Sequence, residues 1–590
     1  MHAHRRFVPN PGPPLALTTL LASSVLALAA AAYAPIGPVS GPAKGVDDPP
    51  SRSSGAAAAG DKLEVARPQH RGPAVEGGSA GPMRVAPALY EGFDPDRAMK
   101  TVAFADRFPR APRDDGYEAV LEFVAGSLRE AGYGSKEGFE LRVIETPVDE
   151  PAWIAVSARV ELVLPNGTTE VLHEFSDPAS RDRTLLPVGA PACELEGEAV
   201  MHLDEVIHGK ILLTEAPTSP FLLRRARMRG AAAVVSSSLA SFNVDPTGAE
   251  RHLDAIQYRR LKSDPGMPVF QISPRTFRRL AQRQEAGETL DLLLHADVRL
   301  EDRPLRTLVA SVVGDRHPDE AVPIVSHVQE PGANDNASGV AGLLESAVSY
   351  AGLIISGKLP RPDRTIVFVW GDEFLQSQAW IDNTERTPVA MISSDMTGQD
   401  REKTGAIALL ERMPDPGALI PLDPDAHTPW GAGEVDPDSL RPNGFAIIAR
   451  CAMFDVASLS PKGWDTADHP WEGGSDHDTF IASGVPACLF WHFTDFTYHT
   501  SLDRMDFVDA EEIHRTAVAI LATAISVADP KPEDAARYAS CIEKDRALRV
   551  AAANAAGDPQ LAERWANWCD GARAWTDRLC GVSEPAVQPK

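Results

Sequence analysis

Ser326-His327-Val328-Gln329-Glu330-Pro331-Gly332-Ala333-Asn334-Asp335-Asn336-Ala337-Ser338-Gly339 is the stretch on which the reading of this chain turns. His327 ends an apolar run, Asp335 follows in a tight turn, and the turn opens a helical run that continues to about Tyr350. Asn334 and Asn336 tolerate unusual backbone angles, and Asn336 or Ser338 can cap the helix. A divalent metal needs an imidazole nitrogen and a carboxylate oxygen on stiff supports, and this segment offers both.

Working outward, short apolar, often β-branched runs at 308–313, 322–325, 365–369, 389–392 and 487–491 alternate with helical stretches, the rhythm of an α/β sheet. Strands of this kind are buried on both faces. His327 follows the second run, Asp372 and Glu373 the third, Asp395 the fourth, and His499 lies in a loop beyond the last. Ligands bind at the carboxyl ends of strands in open α/β sheets, so four strands deliver metal-type side chains to one edge.

His327, Asp335, Glu373, Asp395 and His499 form a nitrogen-and-oxygen donor set without thiolates, suited to Zn2+ ahead of Mn2+ or Co2+. A carboxylate fixed in a turn, as Asp335 is, offers one oxygen to each of two metals about 3.5–4 Å apart. Hydrolysis then needs a neighbouring carboxylate to take the water proton and pass it to the leaving amine. Asp372 and Glu373 are adjacent, so one can ligate while the other serves as base.

Five separated segments carry a family resemblance: Gly332 to Gly339, Arg364 to Val369 with Asp372-Glu373, Ser394-Asp395-Met396, Gly474-Ser475-Asp476-His477, and Tyr498-His499-Thr500-Ser501-Leu502-Asp503. In order and spacing across roughly 310–525 they resemble metallopeptidase family 28, the co-catalytic zinc aminopeptidases and their glutamate carboxypeptidase relatives. The resemblance implies a mixed, largely parallel sheet sandwiched by helices, with 185–300 as an inserted small α+β protease-associated domain. It also implies two Zn2+ ions, one on His327 and Asp395 and one on Glu373 and His499, bridged by Asp335, with Asp372 as base. A single-metal site with Glu373 as base is the alternative. Three departures stand out. The base is an aspartate where the family usually has glutamate, Gln329 replaces the aspartate that usually orients the first histidine, and the loop after Glu373 is short. By the same resemblance the chain hydrolyses N-terminal residues from peptides. A carboxypeptidase or cyclotransferase activity, or a non-catalytic binding ectodomain, are the other readings.

The remaining sequence sets the context. A chain of 590 residues with 43% hydrophobic content forms two or more packed domains. Its net charge of −26 argues against a nucleic-acid partner. His4, Arg5 and Arg6 precede an apolar run at 15–34 that reads as a signal peptide, or as an uncleaved signal anchor that would tether the chain to a membrane. The expected location is secreted or periplasmic. Residues 35–88, rich in Pro, Gly, Ala and Ser, read as a linker. The catalytic domain is expected over 89–184 and 301–528, and a helical extension over 529–590. Residues 397–473 are read as an insertion walling the substrate cleft. Six cysteines permit disulfides without revealing their connectivity; Cys569 and Cys580, both in the helical tail, are one candidate pair, and Cys488 reads as a buried apolar filler. His427, His469 and His492 read as structural, and Asp476 and His477 as organisers of the pocket by hydrogen bonding.

Overall fold

The computed structural model describes residues 79–582, apart from 178, 204–206 and 262–263. The expected export segment and most of the linker lie outside the described residues. The core of the molecule is a nine-stranded mixed sheet. Its strand order is Phe139–Thr146, Leu305–Val312, Arg364–Gly371, His317–His327, Met391–Ser394, Ala487–Phe493, Ile407–Glu411 and Thr466–His469, with Thr387–Pro388 paired to His317–His327. The four strands from Arg364–Gly371 to Ala487–Phe493 run parallel, and the pairs flanking them are antiparallel. Four carboxyl ends therefore meet at one edge, as the sequence predicts.

Burial on both faces explains the near-continuous apolar runs. Ile366, Phe368 and Trp370 enter a core with Val340 and Leu344 of the helix Ala337–Ile355 and with Ile513 and Val518 of Ala510–Ala528. Val367 and Val369, one residue out of phase, enter the opposite core with Trp380 and Phe480. Trp370 is fully buried, so Trp370→Ala would cost about 3–5 kcal/mol. The helix Ala337–Ile355 is long and apolar enough to cross a membrane but is 78% buried, as suits the core helix it is here.

A second, seven-stranded sheet lies between the first two strands of the main sheet in chain order, with Asp291–Glu301 pairing both Ala152–Val163 and Cys193–Val200. It takes in Ala152–Val163 and Thr169–Phe175, so the second layer begins well before residue 185. Alternation marks these segments as strands but does not say which sheet they join.

Two expectations need correction. Residues 79–88 are not linker: a 3-10 turn at Gly81–Arg84 and a helix at Ala86–Gly92 bury Val85, Ala86 and Leu89, and Gly81 N donates to Asp534 Oδ1 at 2.6 Å. Cys569 and Cys580 are not bonded, and all six thiols are free, Cys451 and Cys541 lying 3.7 Å apart. The C-terminal helices Asp534–Ala555 and Pro559–Leu579 pack on the main-sheet layer through a buried ion network in which Arg412 and Arg549 share Asp425 at 2.8 and 3.0 Å. Trp565 lies under the Arg549 guanidinium.

Candidate metal centre

The turn that carries Asp335 is held from several sides. Asp503 accepts the backbone N–H groups of Asn334 and Asp335 at 2.7 and 2.9 Å. Asn336 donates to Ser326 Oγ at 3.1 Å and to the His327 carbonyl at 3.2 Å, and its Oδ1 accepts from Gly339 N and Met396 N. A Cβ at Gly332 would collide with the Asp503 carboxylate, so only glycine fits there. Arg110 is wholly buried, and its guanidinium donates to the carbonyls of Val328 (3.0 Å), Ala105 (2.5 Å), Phe108 (3.1 Å) and Gly332 (2.6 Å). Arg183 donates to Pro331 O at 2.9 Å and to Asp106. Two arginines distant in sequence thus fix the backbone on both sides of Glu330.

The expected ligands converge. His327 Nε2 lies 3.0 Å from Asp395 Oδ1 and 3.5 Å from Asp335 Oδ1, and His499 Nε2 lies 2.9 Å from Asp335 Oδ2. Donor atoms of His327, Glu373 and Asp395 all lie within 4.8 Å of one another. The His327 Nδ1–H donates to Gln329 O at 3.0 Å, which leaves Nε2 free to coordinate. A backbone carbonyl therefore does the orienting for which the family uses an aspartate. The Gln329 side chain turns instead to Glu373: its Oε1 accepts Glu373 N at 2.9 Å and its Nε2 lies 3.4 Å from Glu373 Oε2. Asp395 Oδ2 accepts from Ser475 Oγ at 2.9 Å.

Asp476 accepts from Phe374 N, Gln376 Nε2 and Ser377 Oγ, which fixes the short loop after Glu373. His477 meets Glu411 Oε1 at 2.9 Å. Both are organisers, as the sequence suggests. The second layer buttresses His499, whose carbonyl accepts from Tyr258 N and Gln257 Nε2, each at 2.6 Å.

Glu330 is the residue that the sequence reading missed. Its Oε2 lies 2.8 Å from His499 Nε2, and it forms a donor cluster with His327 and Asp335 within 4.8 Å. Its backbone is held at φ +86°, a conformation that costs a non-glycine residue about 1–3 kcal/mol. The available signal was a lone carboxylate three residues after His327, inside the stretch that decides the fold.

Five buried carboxylates (Glu330, Asp335, Asp372, Glu373 and Asp395) surround two imidazoles. Burial opposes charge on His327, but Asp395, then Glu373 and Asp335, outweigh it and raise its pKa well above the usual imidazole range. His499 is raised likewise, against burial, first by Glu330 and then by Asp335. Burial and then Glu330 push Asp335 far up, and burial pushes Asp372 and Glu373 up. Glu330 goes the other way: His499 overcomes burial and holds it well below the usual carboxylate range.

The residues fit a pair of cations. Both Asp335 oxygens are buried, and each faces a histidine ring nitrogen without a well-aligned hydrogen bond to it. Buried carboxylate oxygens are normally satisfied, and a cation on each side would satisfy these. The third cluster among the described residues, Glu411–His469–Glu472, lacks this character, because His469 spends Nδ1 on Pro470 O at 2.8 Å and Nε2 on Trp491 Nε1 at 2.9 Å.

Comparison with known proteins agrees with this picture. Residues 307–413 match the profile of Peptidase family M28. A Mycobacterium tuberculosis protein described as "Probable lipoprotein aminopeptidase LpqL" is 25% identical over 465 residues, 73% of this chain and 82% of the relative. A Peptidase M28 precursor from Shewanella amazonensis superposes with a TM-score of 0.51 at 17% identity, covering 76% of this chain and 97% of its own. BSAP, a zinc aminopeptidase from Bacillus subtilis, superposes with a TM-score of 0.50 at 16% identity, covering 74% and 96%. The stretch that carries His327, Asp335, Glu373 and Asp395 is thus the part of the chain that matches peptidase family M28, and the fold around it is that of the M28 aminopeptidase structures.

Proposed function

We propose that the chain is an exported zinc-dependent exopeptidase, and within that class an aminopeptidase that removes N-terminal residues from peptides outside the cytoplasm. The observation that carries the reading is the buried Asp335 carboxylate, flanked by His327 and His499 with neither ring in good hydrogen-bonding geometry to it. The family match and the aminopeptidase description of the mycobacterial relative support it.

His327, Asp335, Asp395, His499 and a further carboxylate would hold two Zn2+ ions. Bound zinc would polarise the scissile carbonyl and lower the pKa of a water to near neutrality. The chain's own residues supply the rest. The Gln329 carbonyl holds the His327 ring with Nε2 inward, and Ser475 does the same for one oxygen of Asp395. Asp372 and Glu373 stand at the carboxyl end of Arg364–Gly371, where a carboxylate can take the water proton and return it to the leaving amine. Burial raises the pKa of both carboxyl groups above the ordinary carboxylate value. Tyr498 stacks on the His499 ring at 3.9 Å and packs with Met396, Phe493, Phe242 and Trp430, which holds that ring in place.

A zinc-supplemented assay with paired free and amine-blocked aminoacyl and peptidyl substrates tests the proposal. Cleavage that requires the free α-amine supports it. Equal cleavage of blocked substrates points to another exopeptidase chemistry, and a zinc-loaded protein that cleaves neither points to a binding ectodomain.

A further inference from the structure

Resting on the zinc reading above, we infer that Glu330 is itself a metal ligand, filling beside His499 the place that the family resemblance gives to Glu373. Three observations carry this. First, Glu330 Oε2 and Asp335 Oδ2 stand 2.8 and 2.9 Å from the same atom, His499 Nε2. One ring nitrogen has one lone pair or one hydrogen, so it cannot serve two carboxylates equally by hydrogen bonding. Three donors drawn to one point are the arrangement expected around a cation: ligands about 2.0–2.2 Å from a tetrahedral zinc lie about 3.3–3.6 Å from each other, so these would part by about half an ångström to admit one.

Second, Glu373 groups elsewhere. Its donor atom clusters with those of His327 and Asp395, and Gln329 engages both its backbone and its carboxylate. By shortest contact the ligand set divides into His327, Asp395 and Glu373 on one side and His499 and Glu330 on the other, with Asp335 between them, and the Glu330 donor lies also within 4.8 Å of one on His327.

Third, the backbone is built to aim Glu330 inward. The residue sits at φ +86°, 3% exposed, between carbonyls pinned by Arg110 (Val328 and Gly332) and Arg183 (Pro331). The turn thus delivers the Glu330 carboxylate to the point where His499 and Asp335 already meet. The same division leaves Asp372 as the carboxylate without a ligand role.

The test uses the full chain, stripped with chelator and titrated with Zn2+, with bound metal read by mass spectrometry and affinity by calorimetry. Wild type should take up two equivalents. Glu330→Gln should lose one equivalent or bind it at least about a hundredfold more weakly. Glu330→His, which keeps a donor atom, should retain two, and Glu402→Gln on the surface should match wild type. Loading with Co2+ adds a spectroscopic readout: the visible bands of Glu330→Gln should differ from wild type. If Glu330→Gln keeps both equivalents at wild-type affinity with an unchanged cobalt spectrum, while Glu373→Gln loses one, Glu330 only positions His499 and the inference is overturned. A wild-type chain that binds no zinc would overturn the functional reading as well.

Discussion

The Asp335 carboxylate, on the turn that opens one core helix, lies 2.9 Å from Nε2 of His499, on a loop beyond the last of the four parallel strands. With His327 on its other oxygen, Asp335 is the hinge of the centre. Asp335→Asn and His499→Ala are each expected to lower bound zinc and to cut peptide hydrolysis by more than about a hundredfold, while far-UV circular dichroism stays as in wild type. Zinc should raise the melting temperature of wild type and have little effect on Asp335→Asn, since only a ligand that binds the folded state stabilises it. Full hydrolysis by a metal-free double variant would contradict the reading.

The neighbours Asp372 and Glu373 separate by what is lost. Asp372 is buried, and the charges of Arg260, His327 and Arg113 only partly offset the burial that raises its pKa. Asp372→Asn should lower kcat by about 10²–10⁴-fold, the usual contribution of a general base, with zinc content unchanged. Glu373→Gln should lower zinc affinity as well. If Asp372→Asn strips the metal and Glu373→Gln does not, the two roles are reversed.

Arg110 makes no hydrogen bond to a carboxylate, yet four backbone carbonyls depend on it. Replacing it by leucine removes a charged donor from each of those carbonyls, though Ala105, Phe108 and Gly332 each keep a second one, and a hydrogen bond to a charged group is worth about 1.5–3 kcal/mol. Arg110→Leu should therefore destabilise the chain by at least about 3 kcal/mol in urea unfolding. It should also weaken zinc binding, because the loop from Val328 to Gly332 loses its clamp. A stable variant with intact zinc affinity would show that Asp503 and Asn336 hold the turn by themselves.

His469 sets a pH dependence away from the centre. Burial lowers its pKa from 6.5 to about 4, and its bonds to Pro470 and Trp491 suit the neutral ring. The unfolded chain takes up a proton near pH 6.5 that the folded chain refuses until about pH 4, so stability falls as the pH drops through that window. The loss should approach about 3 kcal/mol. In His469→Gln this component is absent. Unfolding free energies of the two proteins measured at pH 7 and pH 4 should differ by that much more at the higher pH, and parallel curves would contradict the assignment.

The centre was legible where the chemistry follows directly on a strand. Arg364–Gly371 and Met391–Ser394 are β-branched and buried on both faces, so Asp372, Glu373 and Asp395 had to emerge at one edge. His499 was readable through its pattern with Tyr498 and Asp503 rather than by strand position. Glu330 was hidden because nothing local shows that Pro331-Gly332 and two distant arginines turn its side chain inward. Arg110 and Arg183 bind backbone carbonyls, which every sequence possesses, so neither has a sequence signal. The early helices at 81–92 were lost in a Pro- and Gly-rich composition, their order coming from contacts with residues such as Asp534 at the far end of the chain.

The most direct test of the account is diffraction from crystals of the full chain grown with zinc, with data collected above and below the zinc absorption edge. The account predicts two anomalous peaks flanking Asp335 about 3.5–4 Å apart, one against His327 and Asp395 and the other against His499. No peak beside Asp335, or zinc bound only at Glu411, His469 and Glu472, would contradict it.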